Sequence, residues 1–96
     1  MKIDVPRKAY LGEIEIKPGE YLVSISPESN KIILIGAGGE TTLPAVRRPS
    51  KMPVKRPKVS FGPSMGDPFW IISYCLPPRT EFVAFIKMER RQGDDD

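Results

Sequence analysis

Residues 11–44 read LGEIEIKPGEYLVSISPESNKIILIGAGGETTLP, and no other part of the chain constrains its architecture as tightly. Within it, Leu11–Ile16 sets Ile14 and Ile16 against Glu13 and Glu15, the two-residue period of a half-buried strand. Lys17-Pro18-Gly19-Glu20 places Pro then Gly at the centre of a turn, the order favoured by type II. Tyr21–Ser26 sets Tyr21, Val23 and Ile25 against Leu22, Ser24 and Ser26. Pro27-Glu28-Ser29-Asn30 is a second turn. Lys31–Ile35 carries four apolar residues in succession, which predicts a central strand buried on both faces. Gly36-Ala37-Gly38-Gly39 is a third turn, and Glu40–Leu43 resumes a strand that Pro44 stops.

The same vocabulary continues beyond residue 58. Val59-Ser60-Phe61 reads as a short strand and residues 62–68 as a loop, with Asp67 in an Asx turn. Phe69–Leu76 sets Phe69, Ile71, Ser73 and Cys75 against Trp70, Ile72, Tyr74 and Leu76. Pro77-Pro78-Arg79-Thr80 turns the chain. Glu81–Glu89 sets Phe82, Ala84, Ile86 and Met88 against Val83, Phe85 and Lys87, although residues 85–92 also suit a helix. With 8 Gly and 11 Pro among 96 residues, the chain is punctuated too often for helices. About six to seven short strands predict an all-β fold, a single small antiparallel barrel or sandwich of the SH3-like or OB-like kind. At this length about 65% of the extended surface can be buried, enough for one thin core spanning residues 1–96 and no second domain.

Charge is distributed unevenly. The chain has 15 Lys plus Arg and 12 Asp plus Glu, for a formal net charge of +3. Residues 45–58, AVRRPSKMPVKRPK, hold Arg47, Arg48, Lys51, Lys55, Arg56 and Lys58 and no acid. The overall positive charge is therefore a +6 segment on a −3 remainder. Pro44, Pro49, Pro53 and Pro57 remove backbone donors and disfavour helix before them. The segment reads as an extended, partly polyproline-like loop. Residues 93–96 form a small acidic tail.

Composition excludes several functions. There is no His and one Cys, hence no Ser–His or Cys–His pair, no imidazole ligand, no intramolecular disulfide and no thiolate zinc cluster. Gly36–Gly39 follows an apolar strand, but a dinucleotide fingerprint needs glycine where Thr41 stands and a helix after it. Glu13 and Glu15 share a strand face and read as a solvated carboxylate pair. Cys75 reads as a small buried hydrophobe. Arg47-Arg48-Pro49-Ser50 matches a basophilic kinase pattern too short to carry weight. The chain is read as non-catalytic, without metal or cofactor. MKIDVPRKAY has no apolar run of a secretory signal, no segment is long enough to span a membrane, and one Cys fits a reducing cytoplasm.

Six cations on a stiff, extended segment create a positive field that attracts polyanions. If all six reached phosphates, log K would fall with log salt at a slope of about −5. No aromatic lies within residues 45–58, so base stacking would need a neighbouring strand. Phe61, Phe69, Trp70 and Tyr74 are candidates, with Trp70 and Tyr74 the ones assigned. The expected function is a binding module that contacts an anionic polymer such as nucleic acid. The alternative is a protein-interaction or assembly module, pairing through sheet edges, docking on an acidic protein or forming a homo-oligomer, with a merely solvated basic loop.

Ile16-Lys17-Pro18-Gly19-Glu20-Tyr21, the basic run after Leu43-Pro44-Ala45, the Gly-rich turn before Trp70 and the closing Glu81-Phe82-Val83 together resemble short, uncharacterised bacterial all-β proteins. That resemblance implies a small β fold and carries over no activity and no catalytic residue.

Overall fold

The computed structural model describes residues 1–64 and 69–89. Asp67 and the acidic tail at 93–96 lie outside them. No described residue is helical, so residues 81–88 form a strand and not the alternative helix. No helix is long and apolar enough to cross a membrane.

Ten strands are described: β1 (Lys2–Val5), β2 (Ala9–Leu11), β3 (Ile14–Ile16), β4 (Gly19–Ser26), β5 (Lys31–Gly36), β6 (Gly39–Pro44), β7 (Val46–Pro49), β8 (Lys58–Pro63), β9 (Phe69–Leu76) and β10 (Thr80–Met88). They make two antiparallel sheets. One has the order β1-β4-β5-β6; the other has the order β3-β2-β10-β9-β8, with β7 also paired to β10. No closed ring of strands joins them among the described residues.

The central hairpins follow the sequence closely. β4 and β5 pair from Leu22↔Ile35 to Ser26↔Lys31 around the turn at Pro27–Asn30. Asn30 takes φ 53°, a conformation that Asn tolerates better than most residues. β5 and β6 close on Gly36↔Gly39.

Four expectations are corrected. Leu11–Ile16 is not one strand but a hairpin, β2–β3, with Leu11 opposite Ile14. Gly12 turns it with φ 63°, at the first central position where a II′ turn needs glycine. Glu13 therefore sits in a turn, and Glu15 pairs with Lys8 at 3.8 Å, so the two carboxylates do not share a strand face. The type II turn expected over Lys17-Pro18-Gly19-Glu20 closes no hairpin, since β3 and β4 belong to different sheets and β4 already begins at Gly19. Lys31–Ile35 is buried on one face only: Ile32 and Leu34 are fully buried while Ile35 is exposed. Beyond these, the sequence is silent on Lys2–Val5, a strand paired to β4 that is too short for its alternation to register.

The sheets share one apolar cluster. Ile3, Val5, Val23, Ile32, Leu34 and Leu43 come from the first sheet; Ala9, Ile16, Ile72, Phe82, Ala84 and Ile86 come from the second. Alternation produces this directly, because every second residue of each strand faces inward. Val83 is only 1% exposed yet is absent from that cluster. It lies on the opposite, outward face of β10.

Candidate functional site

The basic segment is not a single loop. Its first part, Val46–Pro49, is β7, an edge strand antiparallel to the first half of β10 from Val83↔Val46 to Thr80↔Pro49. Pro49 is compatible with this because it stands at the last position of a strand with one free edge. Its last residue, Lys58, already belongs to β8 opposite Cys75.

Between them the chain is pinned to the β9–β10 turn. The Ser50 amide donates to the Arg79 carbonyl at 2.7 Å, and the Val54 amide donates to the Pro78 carbonyl at 2.8 Å. The Ser50 hydroxyl donates to the Met52 carbonyl at 2.8 Å. Arg79 reaches back to the Ser50 and Lys51 carbonyls at 3.4 and 3.5 Å. Ser50 is 9% exposed, so the kinase-like pattern ends on a hydroxyl that the fold has enclosed.

These contacts sort the six cations. Arg48 is held by Glu81, Nε to Oε1 at 3.0 Å. Ser73 donates to the other Glu81 oxygen at 2.9 Å. Burial alone would raise the Glu81 pKa, but the hydrogen bonds from Arg48 and Ser73 and the charges of Arg48 and Lys51 outweigh it, and the pKa is lowered. Arg47, one residue away, points to the other face and sets its guanidinium 5.7 Å from the centre of the Phe82 ring. Lys51, Lys55, Arg56 and Lys58 are exposed. Open depressions run between Arg47, Arg48, Pro49 and Arg79 and between Arg48, Lys51, Met52 and Glu81. Arg79 thus joins the basic end of the fold. Sequence reading left it in a turn outside residues 45–58; its signal is the pairing of β7 to β10, which is visible only in three dimensions.

The two assigned aromatics fall elsewhere. Trp70 and Tyr74 are half-buried on the inward face of β9, packed against the shared core. Trp70 lies with its ring centre 4.9 Å from that of Phe61. The outward face carries the exposed rings instead: Phe69 and Phe85 are 52% and 54% exposed. Their register is fixed by Phe85↔Ile71 and Lys87↔Phe69, so the two rings stand diagonally across adjacent strands. Cys75 also lies outward, half-buried beside Ser73 at 3.8 Å, and in no disulfide.

A further depression at the far end is lined by Glu15, Glu20, Glu40 and the glycine turn of β5–β6. Glu15 and Glu20 are engaged by Lys8 and Lys2. Among the described residues no group of His, Cys, Asp and Glu is placed to hold a metal ion.

Comparison with protein-family models, with curated proteins and with solved structures finds no match for this chain.

Proposed function

We propose that this protein is a non-catalytic β binding module whose basic end contacts an anionic polymer, nucleic acid being the natural one. Two sheets around one core suit the sandwich form of a small module of the SH3-like or OB-like kind. The observation that carries the reading is the anchoring of the basic segment. Arg47, Lys51, Lys55, Arg56 and Lys58 project from a chain held by β7 and by the Ser50 and Val54 amides. Cations presented on an ordered backbone lose less entropy on binding than cations on a loose loop. Arg48 is removed from the contact set because its charge is committed to Glu81.

The test replaces Arg47, Lys51, Lys55 and Arg56 together by Glu and measures retention on heparin and on single-stranded RNA. Loss of retention supports the reading. Unchanged or salt-insensitive retention contradicts it.

A second reading, an assembly or protein-interaction module, is favoured by the exposed apolar side chains Val46, Phe69 and Phe85 and by the outer edges of β1 and β6, which pair with no other strand among the described residues. A salt-resistant dimer in light scattering, with no affinity for nucleic acid, would establish it over the first.

A further inference from the structure

We propose that the outward face of the six-stranded sheet is a stacking platform for a single-stranded nucleic acid, with Phe69 and Phe85 as its base-binding rings. This rests on the reading of the protein as a polyanion-binding module and names both the class of polymer and the surface that reads it.

The register lays this face out in rows across the strands. Lys87 stands opposite Phe69 on β9 and Tyr10 on β2. In the next row Phe85 faces Ile71, and Ile71 faces Gly62. Gly62 has open space where a side chain would begin, so nothing on β8 covers the flank of Ile71. The following row is Val46, Val83, Ser73 and Ser60, and the last is Arg48, Glu81, Cys75 and Lys58. An apolar, aromatic centre therefore has Lys87 at one end and, beyond a row holding two serines, Lys58 beside the Arg48–Glu81 pair at the other. Beyond that second end the chain continues into Lys51, Lys55 and Arg56.

Charge complementarity selects the occupant. The acids on this face are Glu81, bound to Arg48, Glu15, bound to Lys8, and the exposed Glu89, two residues beyond Lys87, whose amide donates to the Lys8 carbonyl. The Lys87 end is thus balanced in charge, and the net positive charge lies at the other end, where Lys58 and the exposed Lys51, Lys55 and Arg56 lead on from the apolar centre, as a phosphate backbone requires. Diagonal neighbours on adjacent strands are about 7–8 Å apart, a spacing at which two rings can each take the face of a separate base. Base faces are accessible in single strands, where they stack on aromatic side chains regardless of sequence; in a duplex they are closed. About half of each phenylalanine is exposed and open to a base.

The experiment compares a fluorescein-labelled twelve-nucleotide oligothymidylate with a twelve-base-pair duplex by anisotropy, using the full chain. Wild type is expected to prefer the single strand. Replacing Phe69 and Phe85 together by Ala is expected to weaken single-strand binding about twenty-five-fold or more, at least fivefold per ring. Phe69→Leu with Phe85→Leu keeps the apolar area, removes the ring faces and guards against a folding defect; it should show most of the same loss. The salt slope should remain that of wild type, since the phosphate contacts lie elsewhere. Equal single-strand binding by wild type and both double variants, or equal affinity for the duplex, overturns the platform while leaving polyanion binding in place. No binding of either oligonucleotide by wild type overturns both readings. A dimer that the leucine variants preserve and the alanine variants dissolve, without oligonucleotide affinity, assigns the face to a protein partner instead.

Discussion

Arg48 donates to Glu81 across the β7–β10 pair at 3.0 Å, and the register places the two residues directly opposite each other. This contact joins the backbone pairing of β7 and the Ser50 and Val54 amide bonds in holding a proline-rich, highly basic run against the sheet. Glu81 offsets one of the positive charges at the point where the run begins, and the Ser73 hydroxyl fixes the carboxylate from the other side.

The first prediction concerns pH. The Glu81 pKa is lowered from the ordinary value of 4.5, so the folded state binds the ionised form better than the unfolded state does. The resulting stability is present above the ordinary value and is lost as pH falls through the depressed one. Glu81→Gln should destabilise the protein by about 1–2 kcal/mol at neutral pH. The gap between wild type and variant in urea unfolding should close progressively below about pH 4.5. A gap that is constant from pH 7 to pH 3 would contradict this origin.

The pair itself is testable by a double-mutant cycle. Arg48 is 47% exposed at its side chain, which limits the gain from the ion pair. Arg48→Ala and Glu81→Gln should be less than additive, with a coupling of about 0.5–1 kcal/mol. Arg48→Ala should also lower nucleic-acid affinity less than Lys55→Ala does, measured by anisotropy at fixed salt, because its charge is already engaged.

Ser50 is the pin of the basic segment. Ser50→Ala removes the hydroxyl bond to Met52 but keeps the amide bond to Arg79. A loss of about 1 kcal/mol is expected. Amide exchange at Val54, whose partner is the Pro78 carbonyl, should quicken while exchange in β5 stays slow. Uniform quickening would mean that the segment opens only with the whole fold.

Gly36 is constrained by a neighbour and not by its backbone angles. A Cβ there would meet the Tyr21 ring at 2.7–2.8 Å. That ring is 8% exposed, and its hydroxyl donates to the Lys17 carbonyl at 2.6 Å, so it cannot swing aside without losing a bond. Gly36→Ala should cost about 1–3 kcal/mol in chemical denaturation. Tyr21→Phe in the same background should recover part of the loss, because the ring is then freer to move.

Much of the fold was legible wherever alternation and turn residues agreed. Tyr21–Leu43 gives its two hairpins from the sequence, and Phe69–Leu76 gives the correct parity of its two faces. Parity alone does not tell which face is inward when both are apolar. That is why the sequence does not separate the half-buried Trp70 and Tyr74 from the exposed Phe69 and Phe85. The same ambiguity made Lys31–Ile35 look buried on both faces, although Ile33 and Ile35 face outward. Val46–Pro49 was illegible for another reason. Its proline and two arginines oppose strand formation locally, and the Glu81 and Phe82 partners that override them lie more than 30 residues away. Leu11–Ile16 hid a hairpin because Gly12-Glu13 interrupts an alternation that reads unbroken.

The most direct test is the salt dependence of binding to a single-stranded oligonucleotide, measured from 50 to 300 mM salt. Five cations in phosphate contact, Arg47, Lys51, Lys55, Arg56 and Lys58, should give a slope of log K against log salt of about −3.5. A slope near zero, or no measurable affinity at the lowest salt, would contradict the assignment of the basic end as a polyanion-binding surface.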